Sequence, residues 1–67
     1  MEITLNKKVI SVSNPCSIQL LVNSRIGEEQ RGIAVAVNGS VVPKASWLST
    51  PLNNGDSVLI IKATQGG

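Results

Sequence analysis

The stretch NNGDSVLIIK at residues 53–62 decides the fold. Residues 53–56 form a turn cluster, and residues 57–62 then predict a strand. The segment VLII, at 58–61, is apolar without alternation, which is typical of a strand in the centre of a sheet. We therefore predict that this last strand lies in the middle of a mixed sheet, parallel to the first strand of the chain.

A hairpin precedes this strand in the sequence. Residues 33–37, IAVAV, are apolar and partly β-branched, and they predict a strand buried on both faces. Asn38 and Gly39 are the strongest short hairpin signal, because a type I′ turn requires positive φ at both central residues. The returning strand SVV (40–42) ends at Pro43, which has no N–H to donate to a ladder.

The first half of the chain predicts another hairpin followed by a helix. Residues 1–5, MEITL, alternate apolar and polar side chains. The turn NKK (6–8), whose Asn tolerates a left-handed backbone, leads to a returning strand at Val9–Val12. Ser17 is a good N-cap, and Gly27 stands where a left-handed residue ends a helix. The order β-β-α-β-β-β predicts an α+β domain in which a mixed sheet packs on one helix.

Shorter segments connect these elements. EEQRG (28–32) predicts a polar loop, and KASWL (44–48) predicts about one helical turn. Trp47 is the only aromatic residue, and we expect it to cover an open end of the core together with Leu48. Its indole N–H is expected to face water or a backbone oxygen. We therefore interpret Trp47 as a core residue rather than a binding site.

The composition excludes several classes of function. A chain of 67 residues with 42% hydrophobic residues predicts one small domain. The sequence has no His, which removes the usual general base and the usual metal ligand. The remaining candidate ligands lack the close spacings of zinc and calcium sites, so we expect no metal and no cofactor. These candidates are Cys16, Glu2, Glu28, Glu29 and Asp56.

The charge and hydropathy of the sequence indicate which partners the protein binds and where in the cell it is located. The net charge is +2, and its six basic residues are spread along the chain. Nucleic-acid-binding proteins cluster such charges and add aromatic residues for stacking, so we expect no nucleic-acid partner. No apolar run approaches the roughly 18 residues of a membrane span, and the N-terminus lacks a signal-peptide layout. The lone Cys16 cannot form an internal disulfide, which favours a reducing, cytoplasmic location.

The sequence ends in KATQGG, with Gly66 and Gly67 in last place. Fraying is one explanation for a bare glycine end. The other explanation is that the terminal carboxylate, on a flexible tail at residues 63–67, is the functional group of the protein. An ionised carboxylate must become a mixed anhydride before a nucleophile can attack it, and adenylation by ATP in a partner enzyme would do that. Glycines have no Cβ atoms and can pass through a narrow channel.

Two motifs resemble the ThiS family of thiamine-pathway sulfur carriers, which has the β-grasp, or ubiquitin-like, fold. VNGSVVPKASW (37–47) matches the family's strand, polar turn and V-P-[RK]-x-x-W. NGDSVLIIKATQGG (54–67) matches its G-D-x-[VI]-L block, final strand and terminal Gly-Gly. The resemblance covers nearly the whole chain. It implies a β-grasp domain over residues 1–62 and a carrier rather than an enzyme.

The same resemblance implies a set of partners. An E1-like (ThiF-type) adenylating enzyme would activate the carboxylate of Gly67 with ATP. A sulfur donor that bears a persulfide, such as a cysteine desulfurase, would convert the adenylate to a thiocarboxylate. A thiazole synthase (ThiG-type) would take the sulfur into the thiazole ring of thiamine. Gly66 is then the neighbour that fits the partner's channel, and no residue of the chain is catalytic.

Other interpretations stay open at this point. The chain could be the small subunit of a molybdopterin synthase or a ubiquitin-like modifier, although its short length and V-P-K-x-x-W block favour the thiazole pathway. It could also be a β-grasp interaction module with a frayed end. A persulfide on Cys16 is a further hypothesis, because a position before a helix N-terminus favours the thiolate. Free cysteines more often behave as small buried hydrophobes, so we assign the sulfur to the tail.

Overall fold

The sheet is built around its last strand. The computed structural model describes residues 1–27 and 32–62, so the predicted polar loop lies outside the described residues except for Gly32. In chain order the described elements are β1 (Glu2–Leu5), β2 (Lys8–Ser11), α1 (Ile18–Arg25), β3 (Ile33–Val37), β4 (Ser40–Val42), a 3-10 turn (Lys44–Ser46) and β5 (Ser57–Lys62). The described strands form a mixed sheet in the order β2-β1-β5-β3-β4. This arrangement confirms the predicted order of elements and the central place of the last strand.

β5 has a strand on each side. It runs parallel to β1, where Leu5 lies opposite Val58. It runs antiparallel to β3, where Ile33 lies opposite Lys62. The parallel pairing confirms the prediction for the first and last strands. Because parallel strands need a long crossover connection, the helix and the second hairpin lie between them in the sequence.

The first hairpin turns through two residues with positive φ. Asn6 and Lys7 have φ values of 49° and 71°. A two-residue turn of this hand matches the twist of the strands it joins. It places Leu5 opposite Lys8, so β2 occupies Lys8–Ser11. The predicted bounds Val9–Val12 were therefore displaced by one residue.

The helix begins and ends as its sequence predicts. Ser17 is the N-cap, and its hydroxyl accepts a hydrogen bond of 3.1 Å from the backbone N–H of Leu20. At the other end, Gly27 has a φ of 79°, and its N–H donates to the carbonyl of Asn23 at 3.1 Å. A left-handed glycine of this kind satisfies carbonyl groups that the helix itself leaves unpaired.

The segment 47–52 closes the N-terminal end of α1. The first N–H groups of a helix have no partner within the helix. Here Ile18 N–H donates to the carbonyl of Thr50 at 3.1 Å, and Gln19 N–H donates to the carbonyl of Trp47 at 3.2 Å. The segment thus covers the end of the core and supplies acceptors to the helix at the same time.

The core lies between α1 and one face of the sheet. Its buried side chains are Ile3, Cys16, Ile18, Leu21, Val22, Val35, Trp47, Leu52 and Val58. In β3, Val35 is buried but Ala34 is exposed. The prediction that β3 is buried on both faces is therefore wrong. The reason is that α1 packs on one face of the sheet and leaves the apolar side chains of the other face open to solvent.

Trp47 and Leu48 have opposite environments. Trp47 is 1% exposed, and its indole Nε1 donates to the carbonyl oxygen of Val42 at 2.9 Å, so its predicted roles as a core residue and as a donor to a backbone oxygen are confirmed. Leu48 is 77% exposed, so its predicted place over the core is wrong. Neighbouring residues that follow the turn at Lys44–Ser46 point in different directions, and the larger side chain takes the core position.

These environments predict different mutational effects for the two neighbours. Trp47→Ala should lower the free energy of unfolding by about 3 kcal/mol, because it removes a fully buried ring and leaves a cavity. Leu48→Ala is the matched control and should change that free energy by less than about 0.5 kcal/mol. Urea denaturation followed by far-ultraviolet circular dichroism measures both, since Trp47 is the only intrinsic aromatic probe. A Trp47→Ala variant of unchanged stability would contradict the assignment of Trp47 to the core.

Candidate functional site

The site predicted from the sequence lies beyond the last described residue. Gly66 and Gly67 are outside the described residues, which end at Lys62. Residues 63–67 follow β5 directly in the sequence. What the structure describes is therefore the strand that leads into the predicted site, together with the residues that hold this strand.

The partners of β5 change along its length on the side of β1. Near its start, the N–H of Thr4 donates to the carbonyl of Asp56 and the N–H of Asn6 donates to the carbonyl of Val58, both at 2.9 Å. Beyond Val58, the backbone of β1 has already turned away. The side chain of Asn6 takes the place of that backbone. The Oδ1 of Asn6 accepts a hydrogen bond from the N–H of Ile60 at 2.8 Å, and its Nδ2 donates to the carbonyl of Ile60 at 3.3 Å.

Sequence reasoning missed this use of Asn6. The residue was predicted only as a turn residue that tolerates a left-handed backbone. The turn signal is local, whereas the contact joins Asn6 to a residue 54 positions later. One signal in the sequence could have indicated this contact. The first turn position is occupied by Asn rather than Gly, and an Asn side chain carries both a hydrogen-bond acceptor and a donor.

The face of the sheet opposite α1, called the outer face below, carries exposed apolar side chains beside the strand end. Leu59 is 42% exposed and Ile61 is 51% exposed. They pair with Ala36 and Ala34 of β3, and Ala36 also pairs with Val41 of β4, another exposed residue. Apolar side chains that share one face in this way are typical of surfaces that contact other proteins.

Cys16 is a core residue. It is 3% exposed and belongs to the buried cluster beneath α1, where its Sγ lies 3.5 Å from the carbonyl oxygen of Ser17. This location confirms the prediction of a small buried hydrophobe. Cys16 contributes to the lining of clefts beside Leu20, but at 3% exposure it offers little of the access that a sulfur-transfer group requires.

The described residues hold neither a cluster of candidate metal ligands nor a candidate membrane-spanning helix. In residues 1–27 and 32–62, no three His, Cys, Asp or Glu side chains lie together as metal ligands would. Within the same ranges, no helix has the length and hydropathy needed to cross a bilayer. Clefts beside Leu20 on the helix side are lined mainly by apolar and hydroxyl side chains.

Comparison with known proteins gives a family and two relatives. The family model described as the ThiS family matches residues 2–67. The sulfur carrier protein ThiS of Escherichia coli (strain K12) is 25% identical over 67 residues, which is the whole of both chains. The uncharacterized protein ycf40 of Porphyra purpurea is 33% identical over 67 residues, which covers all of this chain and 93% of that protein.

Solved structures have the same architecture. The crystal structure of a thiamine biosynthesis protein (ThiS) from Geobacter metallireducens superposes with a TM-score of 0.86 at 23% identity, over the full length of both chains. A solution structure of a thiamine biosynthesis protein from the same organism gives a TM-score of 0.80 at 22% identity, over all of this chain and 88% of that one. These similarities confirm the predicted β-grasp fold. Because the family model matches almost every residue of the sequence, the chain belongs to the ThiS family.

Proposed function

We propose that this chain carries sulfur to the thiazole ring of thiamine as a thiocarboxylate on Gly67. A role as a sulfur carrier, and not as an enzyme, follows from membership of the ThiS family. The observation that carries the finer proposal is a family match that extends through residue 67. It includes the five residues 63–67 that follow the central strand β5, of which Gly66 and Gly67 are the last two.

The first step is activation of the terminal carboxylate. At pH 7 this group is ionised and is a poor electrophile. An E1-like (ThiF-type) enzyme binds the chain and ATP, and a carboxylate oxygen of Gly67 attacks the α-phosphorus of ATP. The bond from that phosphorus to the β-phosphate oxygen breaks and pyrophosphate leaves. The product is a mixed anhydride between the carboxyl group and AMP.

The second step replaces AMP with sulfur. The terminal sulfur of a persulfide, held by a donor such as a cysteine desulfurase or passed on from it, attacks the carbonyl carbon of Gly67. AMP leaves, and an acyl disulfide remains. A thiol then breaks the S–S bond, becoming oxidised to a disulfide while the chain keeps the sulfur as a thiocarboxylate. A thiazole synthase (ThiG-type) takes this sulfur into the thiazole ring.

The contribution of the chain itself is access and position. Gly66 and Gly67 have no Cβ atoms, so they suit a narrow channel and leave the carbonyl carbon open to attack. β5, which precedes them, is paired on both sides with β1 and β3. The exposed side chains of Leu59 and Ile61 on the outer face support binding to a partner protein next to the tail.

We place this function in the cytoplasm. A reducing compartment keeps Cys16 as a free thiol, and it supplies the thiols that the second step consumes. The same compartment holds the ATP that activation requires.

The proposal predicts that the length of the tail is critical. Deletion of Gly67, or addition of one Ala after it, should abolish adenylation and sulfur transfer, because the reactive carbonyl must lie within about 3 to 3.5 Å of its attacker. The free energy of unfolding should change by less than about 0.5 kcal/mol, since neither change touches the buried cluster. The measurement is the intact mass after incubation with the adenylating enzyme, ATP and a sulfur donor.

The position of the mass gain is part of that measurement. Exchange of one carboxyl oxygen for sulfur adds about 16 mass units, which is also the gain from oxidation of Met1 or Cys16, so a tail peptide must place the gain at Gly67. Wild-type chain without ATP is the control. If the extended chain is loaded as well as the wild type, Gly67 is not the site of loading and the proposal fails. If neither chain is loaded, an interaction module with a frayed end takes its place.

A milder effect is expected at Gly66. Gly66→Ala adds one methyl group where the partner's channel is narrow, so it should raise the KM for the carrier more than it lowers kcat. Steady-state release of pyrophosphate by the adenylating enzyme, at varied carrier concentration, separates these two constants. The wild type is the control, and circular dichroism establishes that Gly66→Ala is folded before the assay. An unchanged KM for Gly66→Ala would argue against a narrow channel.

The buried position of Cys16 predicts that sulfur delivery does not pass through it. Cys16→Ser should leave the rate of thiocarboxylate formation within about twofold of the wild type, after correction for any fraction unfolded, because a buried thiol is not accessible to a persulfide donor. Circular dichroism establishes that the variant is folded before the assay. Loss of delivery by a folded Cys16→Ser protein would restore the route through a cysteine persulfide.

A further inference from the structure

The side chain of Asn6 completes the sheet where β1 ends. The backbone of β1 bonds to β5 through Thr4 and Asn6, which reach the carbonyls of Asp56 and Val58. At the next position on the same edge, Ile60 bonds to the side-chain amide of Asn6 instead of a strand. The N–H of Ile60 lies 2.8 Å from Oδ1 of Asn6, and the carbonyl oxygen of Ile60 lies 3.3 Å from Nδ2. An Asn amide has the same donor and acceptor as a peptide group, so it replaces one residue of the missing strand.

The backbone of Asn6 makes this replacement possible. Its φ of 49° belongs to the left-handed region that Asn adopts more readily than most residues. The chain therefore reverses into β2 at this residue while the side chain remains beside β5. The backbone of Asn6 thus forms part of the hairpin turn, while its side chain forms hydrogen bonds with the neighbouring strand β5.

The bonded residue is close to the tail. Ile60 is followed by Ile61 and Lys62, where β5 ends, and residues 63–67 come next. In the part of the chain that the structure describes, the amide of Asn6 bonds to β5 on the β1 side two residues before the strand ends. Without this amide, the end of β5 would be held on one side, by β3.

We propose that Asn6 is a positioning residue for the chemistry at Gly67: its amide fixes the end of β5 and thereby the point and direction from which the tail enters a partner. The inference rests on the proposed function. A carrier whose strand end is correctly placed only part of the time binds its partner more weakly in proportion.

The other end of β5 offers a matched control. Asn38 also lies in a hairpin turn with positive φ, at 51°. Its Oδ1 accepts from the N–H of Ser57 at 2.9 Å, and its Nδ2 donates to a carboxylate oxygen of Asp56 at 3.1 Å. Ser57 begins β5, so this anchor is separated from Lys62 by roughly 17 Å of strand. Asn38 therefore holds the same strand by the same chemistry, away from the tail.

The experiment compares Asn6→Gly, Asn6→Asp and Asn38→Gly with the wild type. Glycine keeps the positive φ of either turn without strain and removes the amide. Aspartate at position 6 keeps an acceptor for the N–H of Ile60 and removes the donor. Each protein is assayed for kcat and KM in ATP-dependent adenylation by an E1-like enzyme. Amide hydrogen exchange of Ile60 and residual dipolar couplings of Ile61 and Lys62 are measured on the same proteins.

Asn6→Gly should raise the KM for the carrier about fivefold to tenfold with kcat unchanged, because fewer molecules present the tail correctly while those that bind still react. Its Ile60 amide should exchange about tenfold faster, as expected for loss of one hydrogen bond. Asn6→Asp should restore only part of the KM and of the slow exchange, because it keeps the acceptor for the N–H of Ile60 but places a second carboxylate oxygen against the carbonyl oxygen of Ile60. Asn38→Gly should leave KM and Ile60 exchange within about twofold of the wild type, although its loss of stability should be similar.

Equal KM values for Asn6→Gly and Asn38→Gly would overturn the inference, since the effect would then be general destabilisation of the strand. Unchanged exchange at Ile60 in Asn6→Gly would overturn it as well. If the wild-type chain is not adenylated by any E1-like enzyme offered to it, the proposed function fails instead. The exchange rates and dipolar couplings then decide by themselves whether Asn6 fixes the end of β5.

Discussion

The parallel pairing of β5 with β1 is the constraint on which the rest of the structure depends. It places the last strand in the centre of the sheet, between β1 and β3, rather than at an edge. Because the two parallel strands point the same way, the chain between them must cross the sheet, and α1 makes that crossing over one face. The hairpins then occupy the outer positions. The C-terminal segment consequently begins at a strand supported on both sides.

The division of the sheet into a covered and an open face follows from this crossing. On the covered face, α1 and Trp47 pack against the inward side chains of the strands. On the outer face, Leu59 and Ile61 remain exposed beside the end of β5. A carrier uses these two faces differently. The covered face supplies stability, while the strand end next to the outer face is where the proposed chemistry must meet partner proteins.

Local signals predicted much of the fold. The cap at Ser17, the glycine at Gly27 and the turn at Asn38 each act through their own backbone, so each could be identified without knowledge of distant residues. Burial was harder to predict. The apolar runs of β3 and β5 do not reveal which side the helix covers, and the sequence did not distinguish Trp47 from Leu48. The bond from Asn6 to β5 depends on the sheet order, which a turn motif does not contain.

The family and the fold are established by similarity, whereas the site at Gly67 is proposed from sequence and chemistry. The most direct test is the intact mass of the chain isolated from cells that make thiamine, purified without acid or amine nucleophiles. The proposed function predicts a fraction that is about 16 mass units heavier, with the gain located in the tail peptide that ends at Gly67. Absence of this fraction, or its location at Met1 or Cys16, would contradict a sulfur carrier that is loaded at its last glycine.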